Sequence, residues 1–128
     1  GNAKMDESAR EIYRAFGAPV DTMPTAYTQF LCGLDFAIGP ASEVIIAGYM
    51  NKEDTRLMLR ALRKSFLPNT IVIFRSEGST PPDIETIAPF VQFHSIRNGQ
   101  ATAYVCSNFT CSLPTNDPEK MIELLHKK

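Results

Sequence analysis

Two apolar, β-branched runs, Val44-Ile45-Ile46-Ala47-Gly48-Tyr49 and Thr70-Ile71-Val72-Ile73-Phe74, constrain this chain more than any other feature. Neither alternates polar with apolar, so each reads as a strand covered on both faces. Between them Asn51 is a good N-cap for a helix running to about Phe66, with Glu53 and Asp54 at its positive end. Thr55, Met58, Leu59, Leu62 and Phe66 form the buried stripe of that helix, and Arg56, Arg60, Arg63 and Lys64 lie off it. Strand, helix and strand of these lengths predict a right-handed βαβ unit with parallel strands. A Gly-Ser-Thr-Pro-Pro loop from Gly78 to Pro82 follows, then a short helix around Asp83 to Phe90. Asn98-Gly99 marks a turn into a third strand, Ala101 to Cys106, and the expected strand order is second-first-third. Asp117 as N-cap and Pro118 at the first helical position open a last helix that buries Met121, Ile122 and Leu125.

The N-terminal third reads differently. Ala9, Ile12, Tyr13 and Phe16 make one stripe at helical spacing over Asp6 to Phe16, and Ser8 with Glu11 fits a capping box. Gly17 and Pro19 end that helix. A second opens near Thr22 with Pro24 in its first turn, carries Tyr27, Phe30, Leu31 and Leu34 inward, and closes at Gly39-Pro40. Cys32, among those apolar residues, is expected in the core. The fold class is therefore α/β: an N-terminal helical pair (6–38), then a small, mainly parallel three-stranded sheet flanked by helices (42–128), in a single domain spanning 1–128.

Composition excludes several classes of function. At 128 residues the chain can bury well over half of its unfolded surface and needs no disulfide or metal merely to fold. Hydrophobic residues at 44% and charged residues at 21% are ordinary globular usage. A formal charge of −1 gives no electrostatic reason to expect nucleic acid or an anionic membrane as partner. No apolar run approaches the ~20 residues needed to span a bilayer, and no basic segment followed by an apolar stretch marks a signal peptide near Gly1. Three cysteines, an odd count, point to a reducing compartment, so the expected location is cytoplasmic.

Cys106 and Cys111, separated by four residues at the end of the third strand, carry the sharpest chemistry. They can be a redox pair, half of a zinc site, or small buried hydrophobes, and the last reading weighs most. Zinc needs two more ligands, and His94 and His126 stand in no recognised ligand spacing, so no metal or other cofactor is expected. Asn108-Phe109-Thr110 matches a glycosylation sequon, but its polar side chains are better suited to bracing the turn between the cysteines. A ligand site in a parallel sheet belongs at the carboxyl ends of the strands, which here lead into Tyr49-Met50-Asn51, Arg75-Ser76-Glu77 and Ser107-Asn108. No glycine-rich phosphate loop is present, and Glu53 and Asp54 would repel a phosphate. Glu77 and Asp83 read as solvated carboxylates rather than an acid–base pair, and no nucleophilic triad is suggested by order or spacing.

The run Ala101-Thr102-Ala103-Tyr104-Val105-Cys106-Ser107-Asn108-Phe109-Thr110-Cys111-Ser112-Leu113-Pro114 resembles the terminal signature of the YyaL-like family, which includes spermatogenesis-associated protein 20. The preceding order is similar too: a helix ending at Pro40, then Glu43 to Gly48, then Phe66-Leu67-Pro68-Asn69. The resemblance implies a thioredoxin-like domain and an (α/α)6 toroid, related in shape to sugar epimerases and some glycosidases, of which this chain matches the final part. It carries over the motif residues Cys106, Asn108, Phe109, Cys111 and Pro114 without assigning them a role.

The expected function is thus a non-catalytic accessory or structural module of a larger protein, with no complete catalytic site of its own. Its partners would be the toroid and the thioredoxin-like domain, or a second copy through exposed apolar helices. Two rivals stand beside it: a thiol–disulfide element using Cys106 and Cys111, and a sugar-binding surface with Tyr49, Glu77 and Phe109 as contacts.

Overall fold

The computed structural model describes residues 3–78, 83–108 and 110–127. The chain divides into two compact units, Gly1–Gly39 and Pro40–Lys128. The second is organised around strand β1, Ser42–Gly48, in which only Glu43 faces solvent. Helix α3, Glu53–Lys64, joins β1 to β2, Thr70–Ser76, which pairs with β1 in parallel from Ser42↔Thr70 to Gly48↔Ser76. On its other side β1 pairs antiparallel with β3, Thr102–Ser107, from Ser42↔Ser107 to Ala47↔Thr102. A short β4, Thr110–Cys111, completes the order β2-β1-β3-β4.

The α/β class, the βαβ unit and the order of the first three strands are as the sequence implies. The three-stranded, mainly parallel sheet is not: it has four strands and is mixed. Between Ser76 and Thr102 the described residues form only a four-residue α4, Ile84–Ile87, and a 3-10 turn, Pro89–Phe93. A parallel return requires a crossover spanning the length of the sheet. Without a helix long enough to make it, the chain re-enters where β1 and β2 finish. Asn98 (φ 55°) and Gly99 (φ 69°) supply the tight turn into β3, with Gln100 N–H donating to the Arg97 carbonyl at 3.1 Å. Residues 79–82, most of the expected Gly78–Pro82 loop, lie outside the described residues.

Both faces of the sheet are covered. On one, α3 (Glu53–Lys64) and α5 (Pro118–His126) bury Met58, Leu62, Met121 and Leu125 against Val44, Ile46, Ala103 and Val105. On the other, Val91 of the 3-10 turn packs with Ile45, Ala47, Tyr104 and Cys106. The α5 start matches its sequence signal: the Asp117 carboxylate accepts from Glu119 N–H (2.8 Å) and Lys120 N–H (3.3 Å). Three expectations fail here. β2 is an edge strand, so Ile71 and Val72 are exposed rather than buried. Phe66 lies beyond the end of α3 and is 87% exposed. The N-cap position belongs to Lys52 rather than Asn51, with no side-chain cap bond.

Asp54 supplies the side-chain hydrogen bonds at the start of α3, where Asn51 was expected as the cap. One carboxylate oxygen accepts from Thr55 N–H and the other from Ala101 N–H, each at 2.8 Å, which ties the start of α3 to the entry of β3. The Ala101 amide bond holds the Asp54 carboxyl below its ordinary pKa of 3.8. Next to it the Thr55 hydroxyl is fully buried and, among the described residues, has no hydrogen-bond partner. It fills the space where a side chain on Gly48 would sit, so strand and helix approach this closely only because position 48 is glycine.

The first unit pairs α1, Ala3–Thr22, with α2, Thr28–Ile38, through a 3-10 turn at Pro24–Tyr27. Tyr13 Oη donates to the Gly33 carbonyl at 2.9 Å, and Phe30 meets Tyr13 edge-on at 5.2 Å. α1 starts before Ser8 and continues through Gly17 and Pro19, so neither the capping box nor the expected stop operates. Pro19 removes the bond to the Ala15 carbonyl, but Ala15 is exposed and water can serve that oxygen. Cys32, expected in the core, is exposed and free.

Replacing Asp54 by Ala should lower unfolding stability by about 1–2 kcal/mol at neutral pH. Because its folded pKa is depressed, that contribution is complete above the ordinary value of 3.8 and is lost as pH falls through the lower folded value. Thr55→Val, which removes an unpaired buried hydroxyl, should raise stability by about 1 kcal/mol. Urea unfolding of both variants across acid and neutral pH checks these signs.

Candidate functional site

The β3–β4 hairpin places the two motif cysteines opposite each other. Cys106 pairs with Cys111 and Ser107 with Thr110. Asn108 takes φ 49°, left-handed backbone that asparagine tolerates better than most side chains. Ser112 N–H donates to the Val105 carbonyl at 2.8 Å, so the next pair along, Cys106 and Cys111, faces at a position without ladder bonds, where side chains approach closest. Their sulfurs are bonded, S–S 2.04 Å, with Cα atoms 3.9 Å apart. Cys106 is 6% exposed and packs among Ile45, Ala47, Val91 and Tyr104, whereas Cys111 is exposed. One bond therefore joins the core to the surface.

His94 stands beside this bond. One of its ring nitrogens and both sulfurs lie within 4.8 Å of one another. The ring meets Tyr104 edge-on at 4.7 Å, and Nδ1 is 3.2 Å from the Phe90 carbonyl. A carbonyl only accepts, so Nδ1 carries the proton and Nε2 keeps a lone pair in the neutral ring. Tyr104 is itself fixed by Oη donating to the Ser95 carbonyl at 2.7 Å. The sequence passes over His94 because it lies twelve positions before Cys106, in no ligand spacing. The 3-10 turn that folds it back onto β3 leaves no periodic signal.

The other sequence candidates lie elsewhere. β3 runs opposite to β1, so Ser107 and Cys106 sit beside Ser42 and Glu43, at the amino end of β1. Tyr49 and Glu77 follow the carboxyl ends of β1 and β2, at the far end of the sheet. The expectation that all three strand ends converge is thus corrected by the antiparallel β3. Glu77 accepts from Arg75 Nη1 at 2.5 Å and from Ile96 N–H at 3.4 Å, and Arg75 also reaches Glu85 at 3.0 Å. Both Glu77 contacts fall on Oε1. Asp83 is exposed, and Tyr49 is 42% exposed against Gly78. Asn108 is exposed and Pro114 half-buried, while Phe109 lies outside the described residues. A cleft of about 550 Å³ between α3 and α5 is lined by Ala61, Ser65, Ile122 and His126 among others, and includes neither Tyr49 nor Glu77. Among the described residues no helix is long and apolar enough to cross a membrane.

The chain is 28% identical over 115 residues to human spermatogenesis-associated protein 20, a match covering 90% of the chain and 14% of that relative. The rat and mouse proteins of the same name are each 25% identical over 116 residues, covering 91% of the chain and 15% of the relative. The chain thus spans about one seventh of the length of these curated relatives, and the matches are consistent with a C-terminal segment of that family. No family model and no solved structure matches it.

Native alkylation followed by mass spectrometry should label Cys32 alone, with Cys106 and Cys111 labelled only after reduction. Cys111→Ser should cost about 2 kcal/mol of stability through the freed five-residue separation. Labelling of all three thiols without reductant would rule out the bonded hairpin as the resting state.

Proposed function

We propose that this chain is an accessory module of a larger protein, docking through apolar helical surface and performing no complete reaction by itself. One observation carries the reading. In the helical pair Val20 is the buried residue among those described, while Ile12 (52%), Phe16 (43%), Met23 (57%) and Ile38 (76%) stay exposed. Hydrophobic surface of this kind on a helical pair marks an interface. The relatives are about seven times longer than the aligned segment, which leaves ample chain to cover it. By the family resemblance that chain would be the toroid, with the thioredoxin-like domain beyond it.

A second reading concerns the hairpin. Cys111 is exposed, so an incoming thiolate can attack there, and a His94 ring nitrogen lies within 4.8 Å of both sulfurs. This supports a thiol–disulfide element that exchanges with a thioredoxin-like partner, and equilibration in graded glutathione buffers measures its potential.

Expressed alone, the chain should self-associate reversibly with rising concentration in sedimentation velocity runs. Ile12→Asp combined with Ile38→Asp should return it to monomer without moving the unfolding transition of the α/β unit. A wild-type chain that stays monomeric at every concentration tested sinks the docking reading.

A further inference from the structure

We propose that the hairpin, once its disulfide is opened, is a metal site: His94, Cys106 and Cys111 bind one thiophilic divalent cation, Zn²⁺ by preference. The proposal rests on the thiol–disulfide reading above, since the sulfurs cannot hold a metal while bonded to each other. Three observations meet here. The ligand atoms of these three residues already lie within 4.8 Å of one another. The cysteines are separated by four residues, inside the C-x2–4-C range of zinc hairpins. The Phe90 carbonyl 3.2 Å from Nδ1 fixes the ring tautomer, as the outer partner of a metal-bound histidine does, and leaves Nε2 as donor.

Geometry permits the exchange. Zn–S bonds of about 2.3 Å at a tetrahedral centre place two sulfurs about 3.7 Å apart. Cys111 is exposed, so its side chain can swing outward while Cys106 stays packed against the sheet. The same exposure leaves the fourth position to water or to a ligand supplied by a partner. One nitrogen and two thiolates are a borderline-soft set that suits Zn²⁺ and discriminates against Mg²⁺ and Ca²⁺.

The chemistry balances with an external dithiol as reductant. Its thiolate attacks Cys111 Sγ, the Cys106–Cys111 bond breaks, and the electron pair leaves on Cys106 Sγ. The second thiolate of the dithiol then resolves the mixed disulfide. Two electrons have passed to the hairpin, the dithiol has become a disulfide, and two thiols remain on the protein. The cation displaces both thiol protons into solvent, so the reduced state is favoured by metal and by higher pH. Bond and metal are mutually exclusive, which makes the hairpin a redox-gated site.

The test uses the whole chain, with Cys32→Ser to remove the remaining thiol. After anaerobic reduction, alkylation with mass spectrometry first counts the free thiols at Cys106 and Cys111. Co²⁺ as a spectroscopic probe, then Zn²⁺ in competition with a chromophoric chelator, should bind at one equivalent to reduced protein and not to oxidised protein. The Co²⁺ complex should show sulfur-to-metal charge transfer and intense tetrahedral visible bands. Cys111→Ser should abolish tight binding. His94→Phe, which keeps a ring against Tyr104, should weaken Zn²⁺ at least about 100-fold while the disulfide still forms. A disulfide that resists reduction under native conditions defeats both this proposal and the thiol–disulfide reading. A reducible pair that takes no metal, or binds it equally well in His94→Phe, defeats this proposal alone.

Discussion

The burial of β1 on both faces is the constraint from which the arrangement of residues 40–127 follows. Val44, Ile45, Ile46 and Ala47 are fully removed from solvent, and consecutive strand residues point to opposite sides. Two covering layers are therefore needed. α3 and α5 serve one face, and the 3-10 turn around Val91 serves the other. Each edge of β1 also needs a pairing strand, because an unpaired amide in so dry a position would be costly. β2 satisfies one edge in parallel and β3 the other antiparallel.

That demand explains why the sheet has two chemically different ends. At the carboxyl end of β1 the close approach of α3 over Gly48, the Asp54 bridge to Ala101 and the Arg75 cluster with Glu77 and Glu85 form a polar framework in which, among the described residues, the Thr55 hydroxyl stays unpaired. Arg75 bridges the two glutamates. At the amino end, the β3–β4 hairpin carries a bond whose two sulfurs experience different surroundings, one in the core and one at the surface, with a histidine nitrogen close by.

The helical pair is held by contacts of its own, chiefly the Tyr13–Gly33 hydrogen bond and the ring packing of Tyr13, Phe16 and Phe30. These join α1 to α2 yet cover little of the apolar surface the pair carries. It is this uncovered surface that the proposed docking role rests on. The hairpin, by contrast, belongs to the unit that holds both buried clusters about the sheet.

The sequence by itself determined the elements whose signals are local. The β-branched runs at 44–49 and 70–74, the stripe through Thr55, Met58 and Leu62, the Asn98-Gly99 turn and the Asp117-Pro118 helix start each follow from side-chain shape and backbone preference within a few residues. The α/β class and the order of the first three strands came with them. Only the tertiary structure decided what depends on residues distant in sequence: that β3 returns antiparallel for want of a crossover, that β2 lies at an edge and leaves Ile71 and Val72 exposed, and that α1 runs through Pro19 where water can reach Ala15. It also decided the candidate site. Cys106 and Cys111 were visible as a pair, but their bonding required the register in which β4 pairs with β3. The approach of His94 required a chain reversal stabilised by Val91 and Tyr104 in the core, and packing of that kind has no periodicity for a sequence to display.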